Sequence, residues 1–233
     1  MRPRWRKVFH DLIDNKARTL LVVFSIAVGI FSIGVIAGAY QIISNDMSAS
    51  YAANQPANIE LRMADYDTDV LTAIHNSRGV GEAEGRRVVN FRVRTAGSDQ
   101  WVAIDVVAME NFSTNHVNLL VPVLGAHEAK KDEILLEKEA LKKLNVKVGE
   151  NLILELSDGT LKELKIAGIV QDVSTGAGDF LAPPFGYIVM KTLPTLRQPE
   201  LFNRAYVTIA ERQDDISYVR EVGADLKDKL EKN

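Results

Sequence analysis

Hydrophobic and polar positions follow three rhythms along this chain. The first is unbroken: Thr19 to Asn45 are 27 residues without Asp, Glu, Lys or Arg. As a helix the block is about 40 Å long at ~1.5 Å per residue. A bilayer's hydrocarbon core is roughly 30 Å thick, so the block spans it with some tilt. A single segment in lipid satisfies its backbone only as a helix. Twelve large apolar residues between Leu20 and Ile36 contribute about −4 to −7 kcal/mol to insertion, as an upper bound. A buried core helix would show a polar face, and this block has none. Ala37-Gly38-Ala39 has the small-residue character of a signal-peptide cleavage site. Against cleavage, the apolar region exceeds the usual ~7–15 residues and an 18-residue segment precedes it. A retained transmembrane helix over 19–45 is the expectation.

The second rhythm is helical. Trp5, Val8, Phe9, Leu12 and Ile13 form one stripe at i, i+3, i+4, i+7 and i+8. The spacing predicts an amphipathic helix over 1–18, lying in the headgroup layer with Trp5 and Phe9 at the membrane interface and Lys16 and Arg18 beside them. At the other end Ile216, Val219, Val222, Leu226 and Leu230 fall on one face of a closing helix. A short helix is expected over 67–77, capped by Asp67 or Thr68, and another around Ala140, Leu141 and Leu144.

The third rhythm is the alternation of strands. "NIELRM" (58–63), "RRVVNFRVRT", "QWVAIDVVAM", Ile134–Leu136, the alternating Leu152, Leu154 and Leu156, the returning Leu164 and Ile166, "YIVM" and "RAYVTIA" all read as strands. "AGSD" closes one hairpin and Asp158-Gly159 another, because a two-residue turn needs positive φ. Residues 110–131 read as irregular. The result is a mixed α/β domain over 46–233 behind a membrane helix.

Charge orients this arrangement. Residues 1–18 carry +4 in a chain of −3, so the remainder carries −7. Positive flanks stay in the cytoplasm, which puts the N-terminus inside and about 190 residues outside. The acidic outer domain argues against nucleic acid. There are no cysteines, so stability outside must come from packing. Within the span, Gly34 and Gly38 make a G-x-x-x-G pair and Ser25 and Gly29 repeat its spacing. Small residues let a second helix approach closely.

Catalytic chemistry is missing. "DYDTD" (65–69) opens like a calcium loop, but Val70 and Asn76 stand where Gly and Glu are needed. "STGAGD" (174–179) lacks the Lys and Ser or Thr of a phosphate loop. His75, His116 and His127 have no zinc spacing. Glu82 and Glu84 beside Arg86 and Arg87 read as a solvated loop. No metal, cofactor or enzymatic activity is expected.

"LIDNKARTLLVVFSIAVGIFSIGVI", with Asn15, Lys16, Arg18, Thr19 and Leu21 at its junction, resembles the first transmembrane segment of FtsX-like and MacB-like ABC-transporter permeases. "ILLEKEALKKLNVKVGENLILEL" and "LKIAGIVQDV", with Val148-Gly149-Glu150 and Ile166, Gly168 and Ile169, resemble that family's extracytoplasmic core domain. The resemblance implies an α+β fold: an N-terminal transmembrane helix, then a two-lobed mixed α/β extracytoplasmic domain with an inserted β-rich lobe at about 112–190. It implies a cell-membrane permease, working as a dimer with a separate cytoplasmic ATPase, for efflux, lipoprotein release or cell-envelope remodelling. Gly29, Gly34 and Gly38 then pack against a neighbouring membrane helix. The family's further membrane helices are not found before Asn233, so the chain is expected to be the first part of a longer permease. The alternative is a complete single-pass anchored binding or sensor protein.

Overall fold

The computed structural model describes residues 16–172 and 183–231; side chains at 43–52 and Lys142 are not described. Trp5, Phe9 and the glycine-rich stretch 174–179 lie outside the described residues. The chain divides into two compact units, Met1–Ser50 and Tyr51–Asn233.

In the first unit, helix α1 is described over Lys16–Ala53 and contains the Lys16–Arg18 junction. Its stretch Lys16–Ile42 is long and apolar enough to cross a membrane, and none of it is buried by protein. Ile30, Phe31, Ile33 and Ile36 are each about 70% exposed. So much bare apolar side chain is stable only against lipid or another helix. No neighbouring atom approaches the Cβ positions of Gly29, Gly34 and Gly38.

Among its described residues the second unit holds nine strands: β1 (Ile59–Tyr66), β2 (Val80–Thr95), β3 (Val102–Met109), β4 (Leu120–Gly125), β5 (Glu133–Glu137), β6 (Asn151–Glu155), β7 (Leu161–Asp172), β8 (Phe185–Val189) and β9 (Phe202–Ile209). Helices α2 (Thr68–His75), α3 (Lys138–Leu144) and α4 (Ile216–Glu231) accompany them, with a 3-10 helix at Met190–Leu196. The neighbour order is β1-β9-β2-β3-β8-β5-β7-β4. Strand β6 pairs with both β2 and β7. Pairing therefore closes a ring of six strands: β2, β3, β8, β5, β7 and β6. Closure leaves no edge within the ring.

Strand β2 belongs to two sheets. Its first half, Val80–Arg86, pairs with β9, which carries β1 on its far side. Its second half, Arg87–Val93, pairs with β3. Strands β4 to β8, from the stretch 112–190, lie in the second sheet together with β3 and the second half of β2.

Alternation explains the core. Leu152, Leu154, Leu164 and Ile166 are at most 1% exposed, each stabilising the fold by roughly 1.5–3 kcal/mol. The Asp158-Gly159 turn joins β6 to β7 with Gly159 at φ 80°. Asp67 caps α2, accepting from the N–H groups of Asp69 and Val70 at 3.0 and 3.3 Å.

Three expectations change. Residues 110–131 are not wholly irregular, because β4 pairs with β7. β4 is an edge strand exposed on both faces, so "LVPVLG" has no alternation to read. Residues 82–87 are not a solvated loop but the interior of β2. Ile216 is 67% exposed; in the first turn of α4 it projects past the core that buries Val222 and Leu226.

Gly168 on β7 sits against β4. A Cβ there meets the Ala126 carbonyl oxygen at 2.2 Å and two further backbone atoms at 2.9 and 3.0 Å. Backbone cannot rotate away as a side chain can. Gly168→Ala is therefore expected to lower stability by about 2–3 kcal/mol by overpacking, read by urea unfolding of the detergent-solubilised chain.

Candidate functional site

Side chains two apart on a strand share a face. Five neighbouring strands use this rule to line one polar cavity of about 300 Å³. Its walls form rows across the sheet. Arg62 on β1, Arg204 on β9 and Arg86 on β2 stand directly opposite one another. The next row is Glu60, Tyr206 and Glu84. On the other side Val88 faces Val107, which faces Tyr187, and Asp105 faces Phe185. Asp172, at the end of β7, completes the wall beside Tyr187.

Arg86 is the centre. Its side chain is 2% exposed, and its Nε donates to Glu84 Oε1 at 3.2 Å. Nη2 donates to the Val117 carbonyl at 2.5 Å, to the Asn118 carbonyl at 3.3 Å and to Asn115 Oδ1 at 3.4 Å. The guanidinium stacks 5.0 Å from the Tyr206 ring centroid. A buried cation costs several kcal/mol unless it is paired and hydrogen-bonded, and here both conditions are met. Glu84 also accepts from the Val117 N–H at 3.3 Å. Burial pushes the Glu84 carboxyl up, while Arg86 pulls it back down.

Arg87, the next residue, points to the opposite face. It reaches Asp65 at 2.8 Å and the Leu201 carbonyl at 3.3 Å. The two arginines thus stand where β2 passes from one sheet to the other.

The segment 115–119 that Arg86 holds in turn holds the chain just after α1. The Ala57 N–H donates to Asn118 Oδ1 at 2.7 Å. The Asn118 and Leu119 N–H groups donate to the carbonyls of Gln55 and Asn54, both at 2.9 Å. Gln55 and Asn118 have φ of 46° and 48°. Such left-handed backbone costs of order 1–3 kcal/mol per residue and persists where surroundings enforce it. Three hydrogen bonds and two strained residues therefore make a joint between 54–57 and 117–119, with Arg86 behind it.

A second acidic group lies near the wall. Tyr187 donates to Asp172 Oδ2 at 2.6 Å. Burial first, then Asp172, raises the Tyr187 hydroxyl well above its ordinary value. Glu137, which caps α3 by accepting from the Glu139 N–H at 2.5 Å, is also raised, chiefly by burial. Its folded state binds the proton more tightly than the unfolded chain. Glu137 thus favours folding below its ordinary pKa of 4.5, and that contribution is lost as pH rises through the raised folded value. Glu137→Gln keeps the cap acceptor and removes the proton site. Urea unfolding between pH 4.5 and about 7 is expected to show a flatter decline for the variant.

Of the residues singled out in the sequence, Gly29, Gly34 and Gly38 lie on α1, as do Lys16 and Arg18. None of them lines the cavity. No group of three His, Asp or Glu able to hold a metal occurs among the described residues. The cavity's arginines were missed, although Glu60-Leu61-Arg62 and Glu84-Gly85-Arg86 repeat a Glu-x-Arg pattern. That repeat was the available signal.

A sequence profile of the MacB-like periplasmic core domain matches residues 19–225. The chain is similar to the extracellular domain of the noncanonic ABC-type transporter YknZ from Gram-positive bacteria, at 12% identity and a TM-score of 0.49, covering 73% of this chain and 92% of that one. It is similar to the periplasmic region of MacB from Actinobacillus actinomycetemcomitans at 11% identity and a TM-score of 0.44, covering 72% and 75%. No curated protein sequence matches it.

Proposed function

The chain belongs to the family of the MacB-like periplasmic core domain of ABC-transporter permeases, and from that premise we propose that it transmits ATP-driven motion to the outside of the membrane. A separate cytoplasmic ATPase hydrolyses ATP and shifts α1. The N-terminus is cytoplasmic, and the domain from about residue 46 works outside. Two copies of the permease act together, each embedded in the bilayer. Gly29, Gly34 and Gly38 let a neighbouring membrane helix pack closely. Trp5, Phe9, Lys16 and Arg18 anchor the inner interface. The output is efflux, lipoprotein release or cell-envelope remodelling.

The observation that carries this reading is the joint behind α1. A domain that only needed tethering would be served by a loose linker, since such linkers are cheap. Residues 54–57 are instead hydrogen-bonded to 117–119, and these to the buried Arg86. A displacement of the chain at residue 54 thus has a continuous, fully bonded route into β2.

The test is capture of the tagged full chain from crosslinked native membranes. A nucleotide-hydrolysing subunit is expected among the captured proteins. Recovery of membrane-inserted chain with no such subunit would overturn the proposal.

A further inference from the structure

Strand β4 is exposed in a way that the motion-transmitting role leaves unexplained. It ends the row of neighbouring strands, pairing with β7 alone among the described residues. Val121, Val123 and Leu124 are 40, 48 and 62% exposed. Sheet edges are blunted by charge, by proline or by bulges. β4 carries no charge: Asn111–His127 are 17 residues without Asp, Glu, Lys or Arg, the longest such run after Asp46. Pro122 and an irregular register between Pro122 and Leu124 interrupt the backbone instead. These two features limit further growth of the ladder but leave the apolar side chains bare. The edge is closed to open-ended strand addition and open to side-chain packing.

We propose that β4 packs against β4 of a second copy across a twofold axis, through Val121, Val123 and Leu124. Two observations choose this occupant. The chain beyond residue 18 carries −7, so copies of the outer domain repel except where charge is absent, and β4 lies within the uncharged run. A contact built on a six-residue strand is also well short of the roughly 1,200–2,000 Å² of a stable interface between free proteins. It does not hold a partner arriving from solution. It suffices for a copy held in the same bilayer by its own α1, where the effective concentration is high. A twofold contact uses the same patch on both copies and ends there. This inference rests on the two-copy reading above and deepens it. Leu119, whose N–H holds the Asn54 carbonyl, immediately precedes β4. The joint behind α1 and the contact between copies are thus neighbours in the chain, and a shift at residue 54 reaches the line where the two domains meet.

The chain has no cysteine, so one introduced thiol reports alone. Val123→Cys and Leu124→Cys in the full chain, oxidised in native membranes, are each expected to give at least about tenfold more disulfide-linked dimer than Lys162→Cys. Lys162 is exposed on the part of β7 that pairs with β6. Adding Val123→Lys to Leu124→Cys is expected to cut the dimer about tenfold, because like charges then meet at the contact. Adding Val123→Ile, which keeps the contact apolar, is expected to leave the dimer unchanged. Co-capture of two differently tagged copies from amine-crosslinked membranes reports the two-copy reading separately. Co-capture with no β4 disulfide above the Lys162→Cys level would overturn the β4 contact and leave that reading standing. Shielding of Val123→Cys from an impermeant maleimide without dimer formation would name another occupant and overturn the contact too. Loss of both co-capture and disulfide would overturn the proposal together with the two-copy reading.

Discussion

Arg86→Met is expected to lower the unfolding free energy of the outer domain by about 3–5 kcal/mol, the usual cost of breaking a buried ion pair from one side. Methionine fills much of the same volume but donates nothing. Four groups lose a donor: Glu84, Asn115 and the carbonyls of Val117 and Asn118. One effect runs the other way. Removing a charge from the Arg62–Arg204–Arg86 row relieves repulsion worth roughly 0.2–1 kcal/mol. The lost hydrogen bonds are the larger sum, because each one made to a charged donor contributes about 1.5–3 kcal/mol. The damage is also expected to be local first. Amide exchange at Asn118 and Leu119, whose N–H groups hold the carbonyls of Gln55 and Asn54, should accelerate before the ring of strands opens. Urea unfolding gives the first quantity and hydrogen exchange the second. A loss below about 1 kcal/mol, with the 117–119 amides still protected, would remove Arg86 from the centre of the joint.

Ile30→Asp is the second large effect. Ile30 is 67% exposed near the middle of the apolar stretch. Aspartate at a helix centre costs about +2.5 to +3.5 kcal/mol on the insertion scale, where isoleucine contributes about −0.3 to −0.6. The change of about 3–4 kcal/mol removes roughly 40% or more of the drive from the span's twelve large apolar residues. Carbonate-resistant membrane association is expected to fall sharply, while Ile30→Leu leaves it intact. A variant that resists carbonate extraction as fully as the parent would show that α1 does not hold the chain in lipid by crossing it.

What could be read from the sequence was governed by short range. Leu152, Leu154, Leu164 and Ile166 announce a hairpin because period-2 alternation and the Asp158-Gly159 turn agree within fifteen residues. Asp67 declares a helix start because its acceptors lie two and three residues on. The unbroken apolar run needed no partner at all to be recognised. The cavity is different in kind. Arg62, Arg86 and Arg204 meet only through the register of three strands drawn from both ends of the domain, and no local pattern specifies that register. Glu84 and Arg86 looked like solvated charge because charged residues are mostly exposed. Arg86 is buried, and Glu84 half-buried beside it, because β2 runs on through them into a second sheet. Strand β4 escaped notice because pairing with β7, and not its own alternation, makes it a strand.

Strand β2 has one more implication. A load entering at Arg86 acts on a single backbone that is laddered to β9 along its first half and to β3 along its second. If the tug runs lengthwise, those rungs resist in shear and share it together. Peeling would take them one at a time. A strand stitched on both flanks would thus act as a rigid rod under the proposed motion, and the direction of the load would decide whether the domain moves as a piece or unzips.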